Sequence, residues 1–351
     1  SIHDQGAGGS SNVLTELMEP AGGRIDIRKI TVGDRTMSVL KIWVCEYQER
    51  YGLLVWEYNL PLLQSICERE RVNCEVLGKI TGDGMVVVED SADGTTPVDL
   101  SLADVLSHMP RKRFDSQHLP VAHTPLAIPP SLTASEALQK VFALPSVGSK
   151  GFLVRKGDRS VTGLVARQQC CGPMHAPVAD AAVTADGYFG LTGAAVALGE
   201  QPVKMLVAPD RGARLTVAEM LTNLAGTKIS KLADVKCRAN WMWAAKQPGE
   251  GALLFDAAVA MSDLMVALGI AIDGGKDSLS MVTKVGEGLV VSPGELVVFG
   301  YAPVSDITKV VTPDLKGGGS LGFIDLGGGK NRLGGSALAQ ALGQLGDDCP
   351  D

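Results

Sequence analysis

Several oxygen-bearing side chains sit in settings where metal or phosphate chemistry is a candidate. Asp4 stands just ahead of the glycine run Gly6–Gly9 in "HDQGAGG". Glycines let backbone N–H groups approach a phosphate, and a carboxylate beside them can hold Mg²⁺, which takes oxygen ligands and bridges phosphates. A tight turn with an exposed Asp would read the same way. Asp180 lies inside the apolar run "VADAAV", where burial is costly unless the carboxylate is paired or metal-bound; an Asp capping a strand end is the alternative. Glu219 and Asn223 in "TVAEMLTN" are four residues apart, on one face of a helix, and both offer oxygen ligands. A solvated helix face is the plainer explanation of that pair.

Other stretches carry weaker signals. In "CEYQERY", Glu46 and Gln48 alternate on an expected strand and so share a face that could hydrogen-bond a polar small molecule. A salt-bridged surface strand accounts for them equally. Lys276 follows two glycines in "DGGKDSLSM" and suggests a phosphate contact. Neither this segment nor "LGGGKNRLGG" satisfies the Walker spacing, and a structural turn explains both. No Ser or Cys occupies a recognisable nucleophile elbow, and His3, His108, His118, His123 and His175 show no metal-ligand spacing. Catalytic residues are therefore left unassigned.

The elements that must position these residues are of mixed type. "RIDIRKITV" predicts a strand over 24–32, "LPLLQSICERERV" a helix, and "CEVLGKITGDGMVVVED" two strands around a Gly-Asp-Gly turn. "TPVDLSLADVLSHM" predicts a short helix. Five prolines between 110 and 130 argue for an extended linker. Beyond it, "ASEALQKVFALP" and "RLTVAEMLTNLAG" predict helices, and "GLVARQQCCGP", "APVADAAVTADG" and "LGEQPVKML" strands and loops. "ALLFDAAVAMSDLMVALGIAID" is apolar enough to predict a largely buried helix. "GLVVSPGELVVFGYAPV" reads as two strands across Ser-Pro-Gly, and "LGFIDLGGGKNRLGGSALAQALGQLG" as strand, glycine loop and helix.

Composition limits the function classes. The 351 residues suit two domains, and 45% hydrophobic content can bury a core. A net charge of −7 with no long basic run argues against a nucleic-acid partner. Seven scattered cysteines without a CxxC pair fit reduced thiols in a cytosolic protein. No uninterrupted apolar run is long enough for a bilayer, and the N-terminus lacks signal-peptide features. The expectation is a soluble cytoplasmic protein with no membrane partner.

Taken together and in order, the motifs resemble one family. "HDQGAGG", "KIWVCEYQERY", "GDRSVTGLVARQQCCGP", "PVADAAV", "ARLTVAEMLTN", "ANWMWAAKQPGEGALL" and "GGKDSLSM" are similar to segments of the large, glutamine-dependent form of phosphoribosylformylglycinamidine synthase. The similarity spans nearly the whole chain. It implies an α/β (α+β) fold of aminoimidazole-ribonucleotide-synthetase-like domains, part of a duplicated synthase core. On that layout, 1–108 is a C-terminal-type domain of the first half, and 109–130 the Pro-containing linker. Residues 131–305 form an N-terminal-type domain of the second half, and 306–351 the connection and start of its C-terminal-type domain.

The resemblance implies an ATP-dependent C–N ligase. It converts formylglycinamide ribonucleotide, glutamine and ATP to formylglycinamidine ribonucleotide, glutamate, ADP and phosphate, using ammonia from a glutaminase domain not in this chain. It further implies Mg²⁺ and ATP or ADP as cofactors. Asp4 matches a Mg²⁺ ligand, Glu46 and Gln48 the substrate side, Ala179 a nucleotide contact, and Asp180, Glu219 and Asn223 the Mg²⁺ ligands of an auxiliary nucleotide site. Tyr47 departs from the Ser that small synthases often carry at its position. The first half's ATP-binding domain and the glutaminase have no counterpart here, so the isolated chain is expected to be inactive. The rival reading is a non-catalytic nucleotide-binding or scaffold relative.

Overall fold

A computed structural model of the chain describes residues 1–47, 49–107, 110–111, 113–154 and 163–351. They fall into two compact units, Ser1–Phe114 and Asp115–Asp351.

The first unit opens with β1 (Ile2–Asp4), the glycine loop and α1 (Gly9–Met18). It continues through β2 (Gly23–Asp26), α2 (Val39–Val44), β3 (Tyr51–Leu53) and α3 (Leu60–Glu70). β4 (Gly78–Ile80), β5 (Met85–Asp90) and β6 (Thr95–Ser101) complete it. One sheet has the order β4-β2-β5-β6; β1 and β3 form a separate antiparallel pair. Ile25, Ile27, Val86, Val88 and Trp43 build its core.

Some expectations need correction here. The strand foreseen over 24–32 ends at Asp26, because the Asp26 carboxylate accepts from Arg28 N and turns the chain into a single 3₁₀ turn, Ile27–Lys29. β4 and β5 do flank the Gly-Asp-Gly turn, but β2 lies between them, pairing with both. Of the helix expected over 96–109, the described part is instead β6 followed by a π-helical turn, Ala103–Ser107; residues 108 and 109 lie outside the described residues. Pro97 is tolerated in β6 because that strand is the sheet edge, where a missing N–H costs no ladder bond. No strand forms around Glu46: α2 stops at Val44 and residues 45–47 have no regular structure.

The second unit contains α4 (Ala134–Phe142), α5 (Gly151–Val154), β7 (Leu164–Arg167), β8 (Ala181–Ala185) and β9 (Gly193–Glu200). Then come α6 (Pro202–Val207), α7 (Pro209–Leu224), β10 (Lys236–Met242), α8 (Glu250–Leu268) and β11 (Ala271–Ser278). The hairpin strands β12 (Val282–Val285) and β13 (Gly288–Val291), then β14 (Glu295–Val304) and α9 (Ala337–Ala341), follow. A six-stranded sheet runs β11-β10-β14-β9-β8-β7, parallel only between β10 and β11. Leu296, Val298, Ala302 and Val304 alternate inward on β14, and Ala195, Ala197 and Gly199 do so on β9. Those small residues let α7 lie close on the sheet, where Val217, Met220 and Leu224 close the core.

α8 also differs from expectation. It buries Ala252, Ala257, Met261 and Met265, yet Phe255 and Val266 are 67% and 77% exposed. Its length and mean hydropathy of 1.7 would suit a bilayer by composition alone, but here it packs along α7. The glycine-lysine segment 274–276 is no loop; it lies within β11. β13 and β14 form as read but join different sheets. Residues 321–326 make no strand and are exposed; α9 is present, with Ser336 Oγ accepting from Ala339 N at its start. The proline-rich stretch from Asp115 lies on the second unit. His118 Nε2 is 2.7 Å from Asp256 Oδ2, and Ala127 exchanges two hydrogen bonds with the Gln344 side chain.

Candidate functional site

In the first unit the glycine loop joins β1 to α1, as its sequence suggests. Gly8 takes a left-handed φ of 85° at the helix N-cap, and Gly9 a φ of 60°. A Cβ on Gly9 would sit 2.1 Å from the Cys45 carbonyl oxygen. Glycine is required there twice over, by conformation and by space. That close approach lays the loop against the segment that carries Glu46. Gln5 N donates to Arg50 O at 2.8 Å, and the buried Gln5 side chain donates to Ser10 Oγ at 3.0 Å. Asp4 pairs in register with Tyr51 and is exposed at the loop entrance. Thus Asp4 and the Glu46 segment border one loop. Gln48 lies outside the described residues. Tyr47 turns to local packing: its ring carries the Arg50 guanidinium 4.2 Å away, and its hydroxyl donates to Met37 Sδ.

In the second unit two candidates bond the end of β9, and a third stands beside that strand. α7 crosses this strand at Gly199, where a Cβ would be 2.0 Å from the Thr216 carbonyl oxygen. One turn further along α7, Glu219 Oε2 accepts from Glu200 N and Gln201 Nε2, both at 2.8 Å. Asn223 Nδ2 donates to Leu198 O at 2.9 Å. β8 pairs with β9 through Ala181 and Ala197, so continuing the register one step brings Asp180 opposite Leu198. Asp180 is exposed there. The apolar residues around it in sequence do not bury it, because it stands at the mouth of β8. Ala179 N donates to Gln169 O at 2.8 Å and fixes the turn into Asp180.

The donor set suits a hard cation. Asn223 uses its amide nitrogen on Leu198, which leaves Oδ1 as its ligand atom; Asp180 and Glu219 add carboxylate oxygens, the ligand type Mg²⁺ prefers. Among the described residues no three His, Cys, Asp or Glu side chains are grouped closely enough to hold a metal. A divalent ion here would therefore rely on the Asn223 amide oxygen and on ligand oxygens as well. Burial pushes the Lys204 ammonium pKa down while nearby Glu219 opposes that shift.

Lys276 is not part of this group. It sits on β11, three strand spacings from β9, roughly 14 Å at the usual inter-strand distance. Its ammonium donates to Ser278 Oγ at 3.2 Å. Sequence reading missed a carboxyl pair at the same end of β9: burial raises the Glu295 pKa, and the adjoining Glu200 raises it further. It also missed Gln201, whose only signal is its place after a strand and before a proline. A cleft of about 450 Å³ beside β7, lined by Arg167, His175, Asp314 and Lys316 among others, went unread too.

Comparison with known proteins bears on both units. Residues 1–91 match the C-terminal domain of AIR synthase related proteins, and residues 149–303 match the FGAR-AT PurM_N-like domain. By fold, then, the chain is a pair of AIR-synthase-type α/β domains. Its sequence is 52% identical over 365 residues to a probable chloroplastic/mitochondrial phosphoribosylformylglycinamidine synthase of Arabidopsis thaliana, covering 100% of the chain and 26% of that protein. It is 51% identical over 369 residues to the Homo sapiens phosphoribosylformylglycinamidine synthase, covering 100% and 28%. Over its whole length the chain is thus similar to phosphoribosylformylglycinamidine synthases, and it spans about a quarter of the length of these relatives. Among solved structures, Thermotoga maritima PurL complexed with ADP aligns over 89% of the chain and 48% of its own, with a TM-score of 0.62 at 15% identity. PurL complexed with FGAR aligns over 89% and 46%, at 0.59 and 16%. At such identities the likeness speaks for the fold alone.

Proposed function

We propose that this chain is part of an ATP-dependent ligase that makes formylglycinamidine ribonucleotide from formylglycinamide ribonucleotide. Glutamine supplies the nitrogen as ammonia, through a glutaminase domain outside these 351 residues, and ATP ends as ADP and phosphate. What supports this reading is that Glu219 and Asn223 both bond the end of β9, the strand beside which the β8 register carries Asp180. An oxygen-donor cluster beside a strand end suits magnesium-bound phosphates.

The two units have different tasks. In the first, Asp4 at the glycine loop binds the divalent ion of the reacting nucleotide, and Glu46 with Gln48 orients the ribonucleotide. In the second, Ala179, Asp180, Glu219 and Asn223 hold an auxiliary nucleotide that is retained rather than turned over. Lys276 adds a cation for a phosphate at a separate point of the sheet. Bound Mg²⁺ supplies charge neutralisation on the phosphates. The chain's own residues position and orient, and the enzyme works in the cytoplasm.

The assignment of tasks is tested in the whole synthase that carries this chain, with ammonia as nitrogen donor. Asp4→Ala should lower amidine formation at least a hundredfold while leaving tightly bound ADP in place. Unchanged turnover would remove Asp4 from the reacting site.

A further inference from the structure

The cleft beside β7 is lined by none of the residues given a task above. It is bounded by β7 and the turn after it on one side and by residues 312–316 on the other. Its volume of about 450 Å³ would admit a phosphoryl group with its water or sugar.

The charges facing it do not cancel. Asp314 is satisfied locally: the Thr312 hydroxyl, followed by the Lys316 ammonium, holds its carboxyl below the usual range, and Lys316 Nζ stands 3.2 Å from Asp314 Oδ2. Lys316 Nζ also donates to Thr312 Oγ1 at 2.8 Å, which pins the ammonium at the rim. Among the described residues Arg167 has no such partner. Its Nε is shut off from solvent and makes no hydrogen bond among the described residues. His175 faces the cleft as well, from a turn where its φ is 50°. A guanidinium N–H withdrawn from water without an acceptor is unfavourable. Its planar fork matches a phosphate oxygen pair.

We infer that this cleft is a phosphoryl-binding site in which Arg167 supplies the fork and Lys316 the second cation. The phosphoryl group can belong to a free phosphate or to a nucleotide. β7 and the following turn pair with residues 178–185, the stretch that presents Asp180. Both sources therefore reach the same neighbourhood.

The test is phosphorus NMR of inorganic phosphate titrated against the full chain, repeated with ADP and magnesium present. Phosphate should broaden on binding. Arg167→Gln should weaken it about ten- to a hundredfold, the usual effect of one charge-assisted hydrogen bond. Lys316→Gln, on an exposed loop that cannot unfold the sheet, should weaken it by less. Asp180→Ala should leave phosphate binding intact even where it abolishes ADP binding, so the two readings fail separately. Displacement of phosphate by one equivalent of ADP would identify the nucleotide as the source; simultaneous binding would identify a second phosphorylated ligand. No detectable phosphate binding, or equal binding by wild type and both variants, would overturn the inference.

Discussion

Two carboxylates, Asp90 and Glu295, tie the stability of the units to pH in opposite senses. Asp90 is 1% exposed and accepts from Arg28 Nε and Nη2 at 2.7 and 2.6 Å. The Arg28 guanidinium holds its carboxyl below the ordinary carboxylate range. Its contribution is thus complete above the unfolded-state pKa of about 4 and is lost as pH falls through the lower folded value. Urea unfolding of the first unit should show a midpoint that drops with acid below about pH 4. Asp90→Asn should start lower and be flatter over that range; an unaltered acid limb would refute the assignment. Glu295 has the opposite sign. Burial and then Glu200 raise its pKa, so the folded state gains stability as pH falls through that raised value. Glu295→Gln should stabilise the second unit at neutral pH, and thermal melts should show the gain fading on acidification. A variant less stable at pH 7 would mean that the ionised pair is satisfied, for example by a cation.

At the scale of elements, the crossing of α7 over β9 decides whether the candidate ligands meet. Ala195, Ala197 and Gly199 present almost no side chain there, and Gly199 admits the Thr216 carbonyl. Gly199→Ala should cost about 1–3 kcal/mol by overpacking. It should also loosen the Glu219 and Asn223 contacts, so chemical unfolding and magnesium-nucleotide binding should fall together. A neutral result would mean that α7 can slide without consequence. This crossing also marks what the sequence could reveal. Spacing alone put Glu219 and Asn223 on one helical face, and glycine density alone placed a loop between β1 and α1. Their partners were not legible, because Leu198 O and Glu200 N belong to the backbone of a strand nineteen or more residues away. The apolar residues around Asp180 suggested burial; a strand-end position exposes it. For α8, hydropathy measured how apolar its residues are but not which of them face α7. In "DGGKD", two glycines read as a turn became strand, since at Gly275 a Cβ would strike the Ala239 carbonyl of the neighbouring strand.

For the whole molecule, the two units have separate cores, one around Ile27 and Val88 and the other around Met220 and Trp243. Each carries a candidate metal-nucleotide site built on its own elements: a glycine loop with Asp4 in the first, and a strand end with Asp180 in the second. No functional group proposed for one unit needs a residue of the other, so the nucleotide-holding task can be tested by itself. The most direct measurement is the ADP content of the purified synthase carrying this chain, wild type against Asp180→Ala, after exhaustive desalting in magnesium buffer. Wild type should retain about one ADP per chain, while Asp180→Ala should lose it and melt several degrees lower, as expected when a ligand that binds only the folded state is removed. Equal ADP content in the two proteins would contradict the assignment of Asp180, Glu219 and Asn223 to a nucleotide site.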